Sequence, residues 1–86
     1  MIVVTGEIEV KADAVEAMKT AAIAMAHATR EEDGCIVYGF WQDIESDTCF
    51  RVYEEWESLE ALVAHGKAPH MAEFGAQIGG SIVSRN

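Results

Sequence analysis

Apolar and polar residues alternate over the first ten positions. In "IVVTGEIEV" (2–10), Ile2, Val4, Ile8 and Val10 share one face with Gly6, while Val3, Thr5, Glu7 and Glu9 share the other. A period of two with one strongly apolar face predicts a β-strand. The period then changes: Val15, Met18, Ala22, Met25, Ala26 and Thr29 recur at helical spacing, which predicts a long amphipathic helix. Asp13, with Glu16 three residues on, reads as the start signal of that helix. The charged "REED" frays its end, and Gly34 is expected as a left-handed terminator.

"CIVYGFWQ" (35–42) is apolar or aromatic on both faces, with Cys35, Val37, Gly39 and Trp41 on one side and Ile36, Tyr38, Phe40 and Gln42 on the other. Such a strand is buried on both sides. "DIESD" is a polar turn, and the next strand puts Phe50, Val52, Glu54 and Trp56 on one face and Arg51, Tyr53 and Glu55 on the other. Tyr38, Tyr53 and Arg51 are expected on the face opposite Trp56 as dimer-interface candidates, with Arg51 pairing with Glu7 or Glu9 across the sheet or across a two-fold axis. Ser58 caps a helix with Leu59, Leu62 and Val63 on its apolar side, ended by Gly66. Pro69 suits the first turn of a further helix with Met71, Phe74 and Ile78 inward. Gly79-Gly80 breaks it, and "SIVSR" is a short last strand.

The order is β-α-β-β-α-β, with the second helix in two pieces. It predicts one α+β domain over 1–86, a ferredoxin-like four-stranded antiparallel sheet with its helices on one face. A chain of 86 residues has too little volume to cover the second face as well. The second strand is too apolar for that face to stay in water. A homodimer packed sheet to sheet about a two-fold axis, a dimeric α/β barrel, resolves the conflict.

Charge narrows the partners. With 15 acidic and 6 basic residues the net charge is -9, and the scattered cations give no footprint for nucleic acid. An anionic membrane surface is disfavoured on the same ground, and no apolar run approaches the length of a membrane span. The N-terminus lacks the basic region and long apolar core of a signal peptide. Cys35 and Cys49 fall at opposite ends of the predicted hairpin, too far apart for a disulfide. Free thiols suit the cytoplasm.

The series "EDGC" before the second strand, "YEEWES" closing the third, "LEALVAH" on a helix and "APHMAEF" in its continuation resembles the antibiotic biosynthesis monooxygenase family, including its quinol monooxygenase-like members. The resemblance implies the dimeric α/β barrel. It also implies a cofactor-free monooxygenase that oxidises a small phenolic or quinol-type substrate with O₂ in an apolar pocket. It makes His65 and Trp56 catalytic candidates. Trp56 is expected to wall the pocket and donate its indole N–H to a substrate oxygen, and His65 to accept a phenol proton or orient a quinol oxygen. Phe74, Met71, His70 and Glu54 are the expected substrate-binding residues. Each has a competing structural role: Trp56 as core, His65 capping the last carbonyls of its helix, His70 hydrogen-bonded locally at the chain bend, and Glu54 as a paired structural carboxylate.

No metal site is expected. His65 and His70 are separated by the break between Gly66 and Pro69, and the two cysteines have no zinc spacing. Haem-degrading relatives of the barrel carry an Asn on the first strand and a Trp on the second helix, and this chain has neither. The alternative function on this scaffold is a non-catalytic dimer that binds a small apolar molecule or serves a stress response. A further one is an isomerase or lactonase working by acid–base chemistry.

Overall fold

The computed structural model describes residues 1–85. Its regular elements are β1 (Ile2–Val10), α1 (Val15–Arg30), β2 (Cys35–Gln42), β3 (Cys49–Trp56), α2 (Leu59–Gly66), α3 (Pro69–Ile78) and β4 (Ile82–Arg85). The strands form one antiparallel sheet in the order β2-β3-β1-β4. This is the predicted ferredoxin-like α+β fold. The buried positions of β1 alternate as the sequence pattern requires, and Met18, Ala22, Met25, Ala26 and Thr29 are buried on α1. Alanine at positions 21, 22 and 26 lets this helix lie close to its neighbours.

The start of α1 differs from expectation. Asp13 lies in a 3-10 turn, Ala12–Ala14, and Ala14 occupies the N-cap without a side-chain hydrogen bond. The backbone supplies what the cap would have: Ala14 N–H donates to the Lys11 carbonyl, and Lys11 N–H to that of Ser81. At the other end Gly34 has φ of +83°. A Cβ there would also sit 2.6 Å from the Cβ of Ala61. Glycine is thus required both for the left-handed turn and for the close approach of α2. Ser58 caps α2 as expected, its Oγ accepting from Ala61 N–H at 3.2 Å, and Pro69 opens α3.

The face of β2 needs correction. The β2–β3 register shifts between Cys35 and Val37 and then pairs Tyr38 with Glu54 and Phe40 with Val52. Directly paired residues share a face, so Tyr38 points toward the helices, beside Glu54, and is only 4% exposed. Because both faces of β2 are apolar, its own alternation cannot say which side is inward. The bulge brings Cys35 opposite Trp56 and pushes Ile36 outward.

On the other face of the sheet, Val3 and Trp41 are about half exposed, at 49% and 54%. The Trp41 ring lies over Gly39, where a Cβ would stand 3.0 Å from it, and meets Tyr53 edge-on at 6.4 Å. Arg51 pairs with Glu7 there, as expected, and donates from Nη1 to Thr5 Oγ1 at 2.9 Å. No helix among the described residues is long and apolar enough to cross a membrane.

Candidate active site

The helix-facing core is divided into two clusters. One holds Val10, Met18, Phe50 and Ile78; the other holds Met25, Ala26, Tyr38 and Trp56. Phe40 and Phe74 pack against both and stack on each other at 5.7 Å. Where side chains run short, at Gly6 on β1 and Gly75 on α3, a cavity of about 480 Å³ opens between sheet and helices. Its walls are mostly apolar, including Val4, Ile8, Met25, Phe40, Val52, Leu62, Met71 and Phe74. The polar residues that line it are Glu7, Tyr38, Glu54 and His65.

His65 comes from the last turn of α2. Two residues, Lys67 and Ala68, join α2 to α3, and their N–H groups bond back to Ala64 and His65. The chain therefore folds over the break, and His70 in the first turn of α3 returns beside His65, ring centroids 6.1 Å apart. Glu32 completes the group from the turn after α1. Its Oε2 accepts from His65 Nδ1 at 2.8 Å and from His70 Nε2 at 2.6 Å. An ionised carboxylate only accepts, so it fixes the proton of neutral His65 on Nδ1. The His65 ring is 3% exposed, 4.8 Å from the Trp56 ring and 5.3 Å from that of Tyr38. Its Nε2 has no protein partner among the described residues. No sealed side-chain nitrogen or oxygen there lacks one, so Nε2 opens onto the cavity that His65 lines.

Several expectations change. Trp56 is fully buried and does not line the cavity. Its indole N–H is already given to Glu54 Oε1, at 2.8 Å, and is not free for a substrate. That bond and its burial give Glu54 the partnered role that a carboxylate facing helices needs. His65 does not cap carbonyls in solvent; it is a buried, carboxylate-bound ring. His70 is not locally bonded, since its partner lies 38 residues away, and it borders a separate groove with Met25, Phe74 and Gln77. Glu54, Met71, Phe74 and His65 do line the cavity. The ground for expecting no metal site also fails, because the folded break gathers Glu32, His65 and His70 with their ligand atoms within 4.8 Å of one another.

Glu32 was not singled out from the sequence, and Tyr38 was expected on the opposite face of the sheet. Burial pushes the Tyr38 phenol well above its ordinary value, with Glu54 and then Glu32 adding to the effect. It stays protonated at neutral pH. Burial also raises the Cys35 thiol, followed by the field of Glu32, so Cys35 is a poor thiolate nucleophile. A smaller cleft of about 260 Å³ runs between α1 and β2, past Lys19, His27, Arg30 and Trp41. It does not touch the histidine cluster.

The model of the antibiotic biosynthesis monooxygenase family matches residues 1–77. The chain belongs to that family. It is 37% identical over 73 residues to "Uncharacterized protein sll1783" of Synechocystis, covering 85% of this chain and 50% of that protein. It is 33% identical over 67 residues to "Putative monooxygenase Rv0793" of Mycobacterium tuberculosis, covering 78% and 65%. The chain thus spans half to two-thirds of the length of these relatives. The solved structure of Rv0793 superposes with a TM-score of 0.87 at 26% identity, covering 98% of this chain and 88% of that one. A chain from Nitrosomonas europaea superposes at 0.95 with 23% identity, covering 100% and 92%. The latter likeness is one of fold.

Proposed function

We propose that this family member is a cofactor-independent monooxygenase that oxidises a small phenolic or quinol-type substrate with O₂ in the cavity between sheet and helices. The observation that carries this reading is His65: Nδ1 is anchored on Glu32, and Nε2 faces an apolar chamber of substrate size. An imidazole held in that tautomer is a general base. Nε2 takes the phenolic proton, and the electron-rich phenolate passes an electron to O₂. The resulting pair recombines at a ring carbon bearing hydrogen to form a peroxide anion, and His65 returns its proton to the outer oxygen to give the hydroperoxide. Loss of that C–H proton cleaves the O–O bond, leaves one oxygen as a carbonyl and releases the other as water. The C–H proton joins the leaving hydroxide to complete that water. The substrate supplies every electron, so no reduced cofactor enters the balance. Apolar walls exclude water from the radical pair. Phe74 and Met71 are suited to hold the ring, and Glu54 to accept from a second hydroxyl.

The test is O₂ uptake by chelator-treated protein with a panel of hydroquinones and polycyclic phenols. Uptake yielding, per O₂, one water and one quinone from a phenol or one hydroxylated quinone from a hydroquinone is expected. Peroxide as the sole product, or no uptake across the panel, would end the monooxygenase reading. Ligand-dependent thermal stabilisation without uptake would favour the binding-protein alternative.

The open sheet face supports a homodimer closed through Val3, Trp41 and Tyr53, flanked by the Arg51–Glu7 pair. Sedimentation at micromolar concentration is expected to give a dimer, and Trp41→Glu a shift toward monomer. A folded wild-type monomer would remove the barrel. The two free cysteines fit a reducing compartment and support the cytoplasm as its location.

A further inference from the structure

We propose that Glu32, His65 and His70 form a binding site for a divalent transition-metal ion of the Zn²⁺ class, with Oε2, Nδ1 and Nε2 as ligand atoms. These three atoms lie within 4.8 Å of one another. Two imidazoles and one carboxylate are a donor set for borderline ions such as Zn²⁺ or Co²⁺, whereas Mg²⁺ and Ca²⁺ prefer oxygen ligands throughout.

The site is built from three separate segments of the fold. His65 is clamped between Trp56 and Tyr38. His70 is fixed by the Pro69 start of α3. Glu32 sits in the turn that Gly34 terminates, and its side chain is 16% exposed beside a His70 side chain at 21%. The cluster is therefore partly open, which leaves room for water on the remaining ligand position.

The geometry requires the two rings to draw together. Ligands at about 2.1 Å from one ion stand roughly 2.9–3.4 Å apart. The nitrogens are now 2.8 and 2.6 Å from Oε2. Two ligands at that length can stand no more than about 4.2 Å apart, and the three atoms span up to 4.8 Å, so the ion needs an outward shift of the Glu32 carboxylate and an inward turn of His70, the more exposed of the two rings. Each imidazole stays neutral, and its proton moves to its other nitrogen. Glu31 and Asp33 flank the ligand carboxylate, and the chain carries a net charge of -9, so the field attracts cations.

This site does not depend on the reaction proposed above. Where that reaction also holds, an ion on Nδ1 puts the proton of His65 on Nε2 and removes the base, so metal loading lowers O₂ uptake. The deciding measurement is binding itself. Chelator-stripped protein is titrated with Zn²⁺ against a chromophoric chelator and with Co²⁺ by visible absorption. One ion per chain is expected, with Co²⁺ bands of low-coordinate nitrogen and oxygen ligation. His70→Ala and Glu32→Ala should each weaken binding by about tenfold or more, while His27→Ala on the outer side of α1 leaves it unchanged. His70 is partly exposed, so its variant is testable even if His65→Ala fails to fold. Absence of saturable binding at neutral pH, or binding that survives both His70→Ala and Glu32→Ala undiminished, would overturn the site.

Discussion

Replacing Glu32 by Gln is expected to lower kcat for phenol oxidation by about 10²–10⁴-fold with little change in KM. The carboxylate can only accept, so it fixes the His65 proton on Nδ1 and leaves a lone pair on Nε2. An amide of the same shape can turn its NH₂ toward Nδ1. The imidazole proton then moves to Nε2, where the base was. His65→Gln removes the base outright and should fall in the same range. Position 32 lies in a partly exposed turn, so Glu32→Gln is expected to melt within a few degrees of wild type. A readout on substrate acidity separates this role from mere support of the pocket. Phenols already ionised at the assay pH need no base, so their rates should drop least. An equal loss for acidic and weakly acidic phenols would show that Glu32 and His65 act in some way other than proton removal.

What could be read from the chain differs between fold and site for a physical reason. β1 and α1 each bury one face, so periodicity alone identified that face. Ser58, Pro69 and Gly34 carry local backbone chemistry, and their roles were legible residue by residue. β2 is apolar on both sides, so its direction depends on pairing with β3 and on a bulge at Ile36. That is why Tyr38 was assigned to the wrong face. The Glu32–His65–His70 cluster spans separations of 33 and 38 residues and has no local spacing to betray it. One signal was available. Glu31 and Glu32 sit at the C-terminal end of a helix, where the macrodipole disfavours carboxylates. Acids placed against that field invite the question of which donors they meet.

Trp56→Ala is expected to destabilise the protein by about 3–5 kcal/mol, the usual cost of truncating a large buried aromatic. For a domain of this size that is a fall in Tm of more than about 12 °C. Trp56 has no exposed surface and belongs to the cluster that supports His65 and Tyr38. The substitution also leaves Glu54 without its donor, and an orphaned buried acceptor adds about 1–3 kcal/mol. Trp56→Phe separates the two contributions. It keeps most of the apolar contact and loses the N–H, so its cost should be nearer the second figure. Replacing both partners, as in Trp56→Phe with Glu54→Leu, should recover part of that loss, because no polar group is then stranded. Urea unfolding of the two singles and the double gives the coupling directly. A Trp56→Ala protein that unfolds within a few degrees of wild type would mean that Trp56 is not the anchor of this end of the core. The same series bears on chemistry. If Trp56→Phe keeps wild-type turnover with any substrate that the O₂ assay finds, the indole N–H serves Glu54 and not the substrate. Low activity in Trp56→Ala then reflects a collapsed wall behind His65.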